Sequence, residues 1–232
     1  MPPSSLVIPA RFNGPPRSAN GGFTCGLIAA FVEGVAEVTL RAPPPLDTPL
    51  DVSRHGTRVE VRTGEQLVAE AEPTGPDLHG LEAPSPISLD DAAAASARFP
   101  GFEHHAYETC FVCGPARDDG LEIYPGRVAG RDGVVATPWT PPADIAPELV
   151  WAALDCPSGW AVDDFQREGV LLGRLAARID ELPRAGEAHV VVGWRIAVDG
   201  RKRQAGSALF TGDGEMLVLA RSTWIAGVRL PD

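Results

Sequence analysis

The chain has 232 residues, 44% of them hydrophobic, enough for one large domain or two small ones. Its 31 acidic against 20 basic residues leave a net charge of −11, which disfavours nucleic acid and anionic membranes as partners. No apolar run reaches the ~18 residues of a membrane span, the proline-rich start lacks the apolar core of a signal peptide, and four cysteines are too few for a disulfide scaffold; a cytoplasmic protein is expected.

Leu6-Val7-Ile8, with Ala10 and Phe12, reads as a strand, and Asn13-Gly14-Pro15-Pro16 as a turn. A short apolar helix follows. Asn20 is a good N-cap, Phe23, Leu27, Ala30 and Phe31 share a face, and Gly34 is a suitable stop. Gly21 and Gly22 stand at its mouth. The stretches 35–41, 50–54, 58–62 and 66–72 then alternate in the manner of antiparallel strands with one wet face. Thr63-Gly64-Glu65 is a hairpin loop. Beyond 75 the pattern decays into Pro, Gly, Ser and Asp, and 76–105 is expected to be a linker over the surface, with one short helix at 89–98.

The remainder, 106–232, repeats the order. Strands are expected at 121–124 and 133–137, then a helix from Pro147, whose missing N–H suits a first helical position. Leu149, Ala152, Ala153 and Cys156 recur at helical spacing, with Val150 and Leu154 as a second stripe, so the helix is surrounded by protein. Pro157 is expected to end or kink it, and 160–166 to continue it afterwards. Long strands follow at 172–179, 188–198, 203–210 and 215–224, with a hairpin at Gly212-Asp213-Gly214. One helix followed by a meander, twice over, gives an α+β pseudo-dimer of two units of about 100 residues each.

Asp155 is the anomaly. A carboxylate inside an apolar helix is rarely buried without a partner, and the last turn of a helix disfavours negative charge. Either an N–H or Arg partner fixes a turn there, or Asp155 is a tuned base or nucleophile. Cys110-Phe111-Val112-Cys113, with His104 and His105 upstream, has half of a zinc-site spacing; without a second pair the two thiols are expected to pack the linker, and no metal or cofactor is expected. Cys25 and Cys156 read as core residues.

Ala205-Gly206-Ser207-Ala208-Leu209-Phe210, followed by Asp213-Gly214-Glu215 and the run 216–224, resembles the closing hairpin of double hotdog proteins in the acyl-CoA thioesterase superfamily. Cys110-Phe111-Val112-Cys113-Gly114-Pro115 with Asp119-Gly120-Leu121 resembles the lead-in of many single-hotdog thioesterases. The resemblance implies two fused units, each a curved antiparallel sheet wrapped around a helix, with 1–75 and 106–232 as those units. In the phenylacetyl-CoA-thioesterase-like branch a His-Gly-Gly opens the helix, an acid follows eight residues later, and each site joins the two across units. Here the first unit has Asn20-Gly21-Gly22 and Ile28 in place of the acid; the second has Pro147-Glu148-Leu149 and, eight residues after Pro147, Asp155. Each half keeps what the other lost, so one composite site is implied.

At that site Gly22 N–H and the Asn20 amide would receive the oxyanion of a thioester, and Asp155 would act as base or nucleophile. Gly21, Phe23 and Trp151 are candidate substrate contacts, with Asn13 and Glu148 as supporting residues. The implied partner is an acyl-CoA-type small molecule. The rival reading is a protein that holds an acyl or aromatic ligand without cleaving it. Arg201-Lys202-Arg203 is a solvated basic turn or a contact for coenzyme A phosphates. Open sheet edges permit a homodimer of double hotdogs.

Overall fold

A computed structural model describes residues 4–162 and 170–227. The first half contributes β1 (Ser4–Leu6), α1 (Gly21–Ala29), β2 (Ala36–Leu40), β3 (Leu50–His55), β4 (Arg58–Thr63) and β5 (Gln66–Pro73). After α2 (Leu89–Ser96) come β6 (Gly126–Arg127), β7 (Val134–Trp139), α3 (Pro147–Ala161), β8 (Val170–Ile179), β9 (His189–Asp199), β10 (Lys202–Thr211) and β11 (Met216–Ala226). The described strands form one antiparallel sheet of eleven in the order β1-β3-β4-β5-β2-β8-β11-β10-β9-β7-β6. The halves join where β2 meets β8, with Ala36 opposite Ala177 and Val38 opposite Leu175. Both expected hairpins are present, and each turns on a glycine in the left-handed region: Gly64 at φ +56° and Gly214 at φ +89°.

On the inner face of the sheet α1 packs against α3, and the two helices share one core with Val61, Leu175 and Leu209 from the strands. α3 is encased, with every residue from Val150 to Ala161 buried. Its length differs from expectation. The helix passes through Pro157 and ends at Ala161, so Asp155 lies mid-helix rather than in a last turn. Proline removes one ladder donor, at a local cost, but the surroundings hold the backbone helical. Ser158 Oγ donates to the Asp155 carbonyl at 2.8 Å, and β9 lies so close that a Cβ on Gly193 would fall 2.2 Å from the Pro157 carbonyl oxygen. Of the continuation expected at 160–166, Trp160 and Ala161 are helical, and 163–166 lie outside the described residues.

Other local readings are corrected. α1 stops at Ala29, and Gly34 at φ +79° completes a separate turn beyond it. Phe12 belongs to a 3-10 turn after Pro9, not to the first strand. Residues 121–124 form no strand: Glu122 takes φ +54°, and the flanking amides of Leu121 and Ile123 bond to Phe111 and Val112 carbonyls.

Residues 78–95 of the expected linker lie on the outer face of the second half of the sheet, while Phe99 turns into the inner core against Trp160. Leu78, Ile87, Ala92 and Ala95 pack on that outer face with Val190, Val192, Phe210 and Leu219. Val190, Val192 and Trp194 of β9 join this outer layer while Val191 joins the inner core, so alternate residues of one strand are buried on both faces. No helix among the described residues is long and apolar enough to cross a membrane.

Candidate active site

Two glycines on one face of α1 decide how near the helices come. A Cβ on Gly22 would lie 2.5 Å from Asp155 Cβ and 2.6 Å from the Trp151 carbonyl oxygen; one on Gly26 would lie 2.5 Å from Glu148 Cα. Their bare backbones let the N-terminus of α1 sit directly on α3 at Asp155.

Asn20 sets the orientation of what meets there. Its Oδ1 caps the helix by accepting from Phe23 N–H at 2.8 Å, which leaves Nδ2 to donate to Asp155 Oδ2 at 2.9 Å. Gly22 N–H donates to the same oxygen, also at 2.9 Å. Asp155 is buried, and its Oδ1 has no hydrogen-bond partner. Burial raises its pKa to about 7, against the lowering effect of Gly22 N–H and Asn20; the Cys110 sulfur adds to the rise. The positive end of α1 favours the carboxylate, but desolvation outweighs it.

This carboxylate opens on a cavity of about 370 Å³ at the junction of the halves. Asn20, Gly21 and Arg41 line it from the first half; Asp155, Cys156, Leu172 and Trp224 line it from the second. The lining is mostly apolar, as pockets for organic ligands are. Asp155, Asn20, Gly22 and Gly21 are therefore brought together. The two donors expected to receive an oxyanion face Asp155 instead.

The other candidates lie elsewhere, and none lines this cavity. Asn13 ties two loops: its Nδ2 donates to the Thr109 carbonyl at 3.0 Å and its Oδ1 accepts from Arg117 at 2.9 Å. Phe23 stacks on Phe12 with ring centroids 3.8 Å apart. Trp151 is buried in the helix contact, and Glu148 sits in the first turn of α3 against Gly26. Arg201 and Arg203 donate to carbonyls of Ala226 and Gly200 at their own strand ends. Arg41, on the cavity wall, pairs with Glu70.

Sequence reasoning passed over Leu172 and Trp224, and gave the thiols packing roles only. Leu172 and Trp224 carried no signal beyond apolar strand character. Cys110 and Cys156 both line the cavity, and with Cys113 they are the described group of three whose donor atoms all lie within 4.8 Å of one another. Hydrogen bonds from its two neighbours hold the Cys110 pKa well below the usual thiol range, while burial pushes those of Cys113 and Cys156 up. All four cysteines are unpaired.

No protein-family model matches the sequence, and no curated protein matches it. Solved structures do match over nearly the whole chain. A hot dog fold protein of unknown function from Alicyclobacillus acidocaldarius shares 12% identity at TM-score 0.66, over 97% of this chain and 93% of that one. The acyl-CoA thioesterase II TesB2 of Mycobacterium marinum shares 13% at TM-score 0.58, over 98% and 93%. The dehydratase domain of PpsC from Mycobacterium tuberculosis, solved with C12:1-CoA, shares 18% at TM-score 0.57, over 95% and 90%. With a helix cradled by each half of one continuous antiparallel sheet, and full-length likeness to these structures, the chain has the double hotdog fold.

Proposed function

We propose that this protein hydrolyses an acyl thioester of the coenzyme A type at a single composite site, reading 1–75 and 106–232 as its two hotdog units. The observation that carries this is the Asp155 carboxylate, supplied by one half, held through Oδ2 by two donors from the other half, with Oδ1 unpartnered beside the cavity. Full-length likeness to a hotdog acyl-CoA thioesterase and to a hotdog domain solved with an acyl-CoA supports the substrate class.

In this reading Oδ1 takes a proton from water as the water oxygen attacks the thioester carbonyl carbon. The oxyanion meets Gly21 N–H, the first amide of α1; such terminal amides have no partner within the helix and point out of its mouth. The carbon–sulfur bond then breaks, and the departing thiolate takes the proton from Asp155, giving a carboxylic acid and a free thiol.

One observation favours the rival, a protein that holds an acyl ligand without cleaving it: Gly22 N–H and the Asn20 amide are both spent on Asp155. A thiol-release assay over a panel of acyl-CoAs separates the two. Asp155→Asn preserves shape and should lower release on the order of 10²–10⁴-fold, the range of general-base catalysis. Equal background release from wild type and variant, with saturable acyl-CoA binding by both, would leave the binding reading.

A further inference from the structure

The sequence offered two thiols in search of a second pair; the fold supplies a third from 43 residues further along the chain. Cys110 and Cys113 sit on a tight turn closed by Gly114 N–H to the Cys110 carbonyl at 2.9 Å. A Cβ on Gly114 would lie 2.5 Å from both Cys110 N and the Glu108 carbonyl oxygen, so the turn requires glycine after the second cysteine. Such a turn aims both sulfurs at one point. α3 brings Cys156 to the same point, with its Sγ 3.9 Å from that of Cys110. All three side chains are buried.

A neighbour completes the pattern. His105 Nδ1 accepts from Tyr107 N–H at 3.0 Å, so a neutral ring carries its proton on Nε2, and Nε2 lies 3.3 Å from Cys113 Sγ. An N–H donor to sulfur suits a thiolate, and N–H groups of this kind surround metal-bound ligands. Disulfide chemistry fits less well. It joins two sulfurs at about 2.05 Å and leaves the third stranded. A tetrahedral ion with metal–sulfur bonds of about 2.3 Å instead holds its sulfurs about 3.8 Å apart. That matches the Cys110–Cys156 separation without movement.

We propose that Cys110, Cys113 and Cys156 bind one thiophilic divalent ion, zinc by ligand preference, with His105 donating to the Cys113 sulfur and water from the cavity filling the fourth position. Soft thiolates select such ions, and binding would displace the thiol protons, the cation neutralising the sulfurs it ionises in this buried space. The open position lies on the cavity side because Cys110 and Cys156 are themselves cavity wall. The ion pins the 105–114 loop to α3 one residue from Asp155. The inference stands apart from the thioester reading: a ligand-holding protein would bind the metal equally.

The test uses the full chain, purified reduced from zinc-supplemented cells, for elemental analysis and zinc X-ray absorption. One zinc per chain with three sulfur and one lighter neighbour is expected. After chelation, titration with cobalt should give thiolate charge-transfer bands that saturate at one equivalent and vanish on adding zinc. Cys156→Ser should lose stoichiometric binding. Cys25→Ser, whose thiol lies on α1 apart from the cluster, should bind as wild type does. His105→Asn should bind one equivalent about 10–100-fold more weakly, as loss of a partner behind a ligand does. Absence of both bound zinc and cobalt–thiolate bands in the reduced wild type overturns the proposal, as does a Cys110–Cys156 disulfide in metal-free protein from a parallel preparation made without reductant. The wild-type absorption spectrum decides independently of whether Cys156→Ser folds; four sulfurs, or a stoichiometry of zero in His105→Asn, overturns the assigned ligand set.

Discussion

Replacing Gly22 by alanine adds one methyl where the two central helices touch. Its carbon would sit 2.5 Å from Asp155 Cβ, 2.6 Å from the Trp151 carbonyl oxygen and 3.0 Å from Ala152 Cα. Non-bonded carbons rest at about 3.5–4.0 Å, so the helices must part by about 1 Å. Two of the three obstacles are backbone atoms, which cannot swing aside as the tip of a flexible side chain can. Overpacking of this kind costs about 1–3 kcal/mol. Parting also weakens the bond from Gly22 N–H to Asp155, where a hydrogen bond to a charged group contributes about 1.5–3 kcal/mol. The better helix propensity of alanine returns about 1 kcal/mol. The net expectation is a loss of about 3 kcal/mol, the middle of these ranges. Urea denaturation followed by the fluorescence of the five tryptophans reports it; with a slope of about 3 kcal/mol per molar, the midpoint falls by about 1 M. Gly34→Ala is the matched control. It has open space around its Cβ and only a positive φ to resist it, so it should lose about 1–2 kcal/mol. If Gly22→Ala costs no more than Gly34→Ala, close approach of the helices is not what the glycine serves, and the site geometry argued from it fails.

Asn20→Asp keeps a helix cap but sets a second carboxylate where Nδ2 now donates to Asp155 at 2.9 Å; at neutral pH it should lower the thermal midpoint more than Asn20→Ala, whose lost cap costs about 1 kcal/mol. Equal or higher stability for Asn20→Asp would mean that Asn20 and Asp155 are not in contact. Ser158→Ala should destabilise by about 1–3 kcal/mol in urea unfolding, because Ser222 Oγ and Trp224 Nε1, each 2.9 Å from Ser158 Oγ, lose a buried partner. Single turnover in ¹⁸O-water should place the label in the released acid and none in Asp155, as expected of a base; label in the Asp155 carboxylate would make it the nucleophile.

Much of the frame is legible along the chain because its causes are local. Asn20 at the mouth of α1 is a side-chain oxygen within reach of an amide three residues on, and that contact forms at 2.8 Å. The glycine hairpins at Gly64 and Gly214 follow from which residue tolerates φ above zero. Strand alternation from 50 to 73 follows from a pleat with one covered face. Asp155 was conspicuous for a related reason: a charge among apolar neighbours needs an explanation before any coordinates exist.

Long-range contacts decided the rest. Pro157 reads locally as a break, yet α3 passes through it because the sheet encloses the helix and holds it in shape. Phe23 and Trp151 read as pocket walls by position, but stacking on Phe12 and the helix contact claim them. The 76–105 stretch reads as a surface connector because its apolar residues are sparse and aperiodic, and only the sheet beneath shows which of them are covered. Cys156 looked like filler in a helix until the fold set it beside Cys110. Composition, periodicity and steric preference thus determined the elements of this protein, since each depends on a few adjacent residues. The partners of Asp155 and of the thiols belong to tertiary structure alone, because distances between residues remote in sequence exist only once the sheet has closed over both helices.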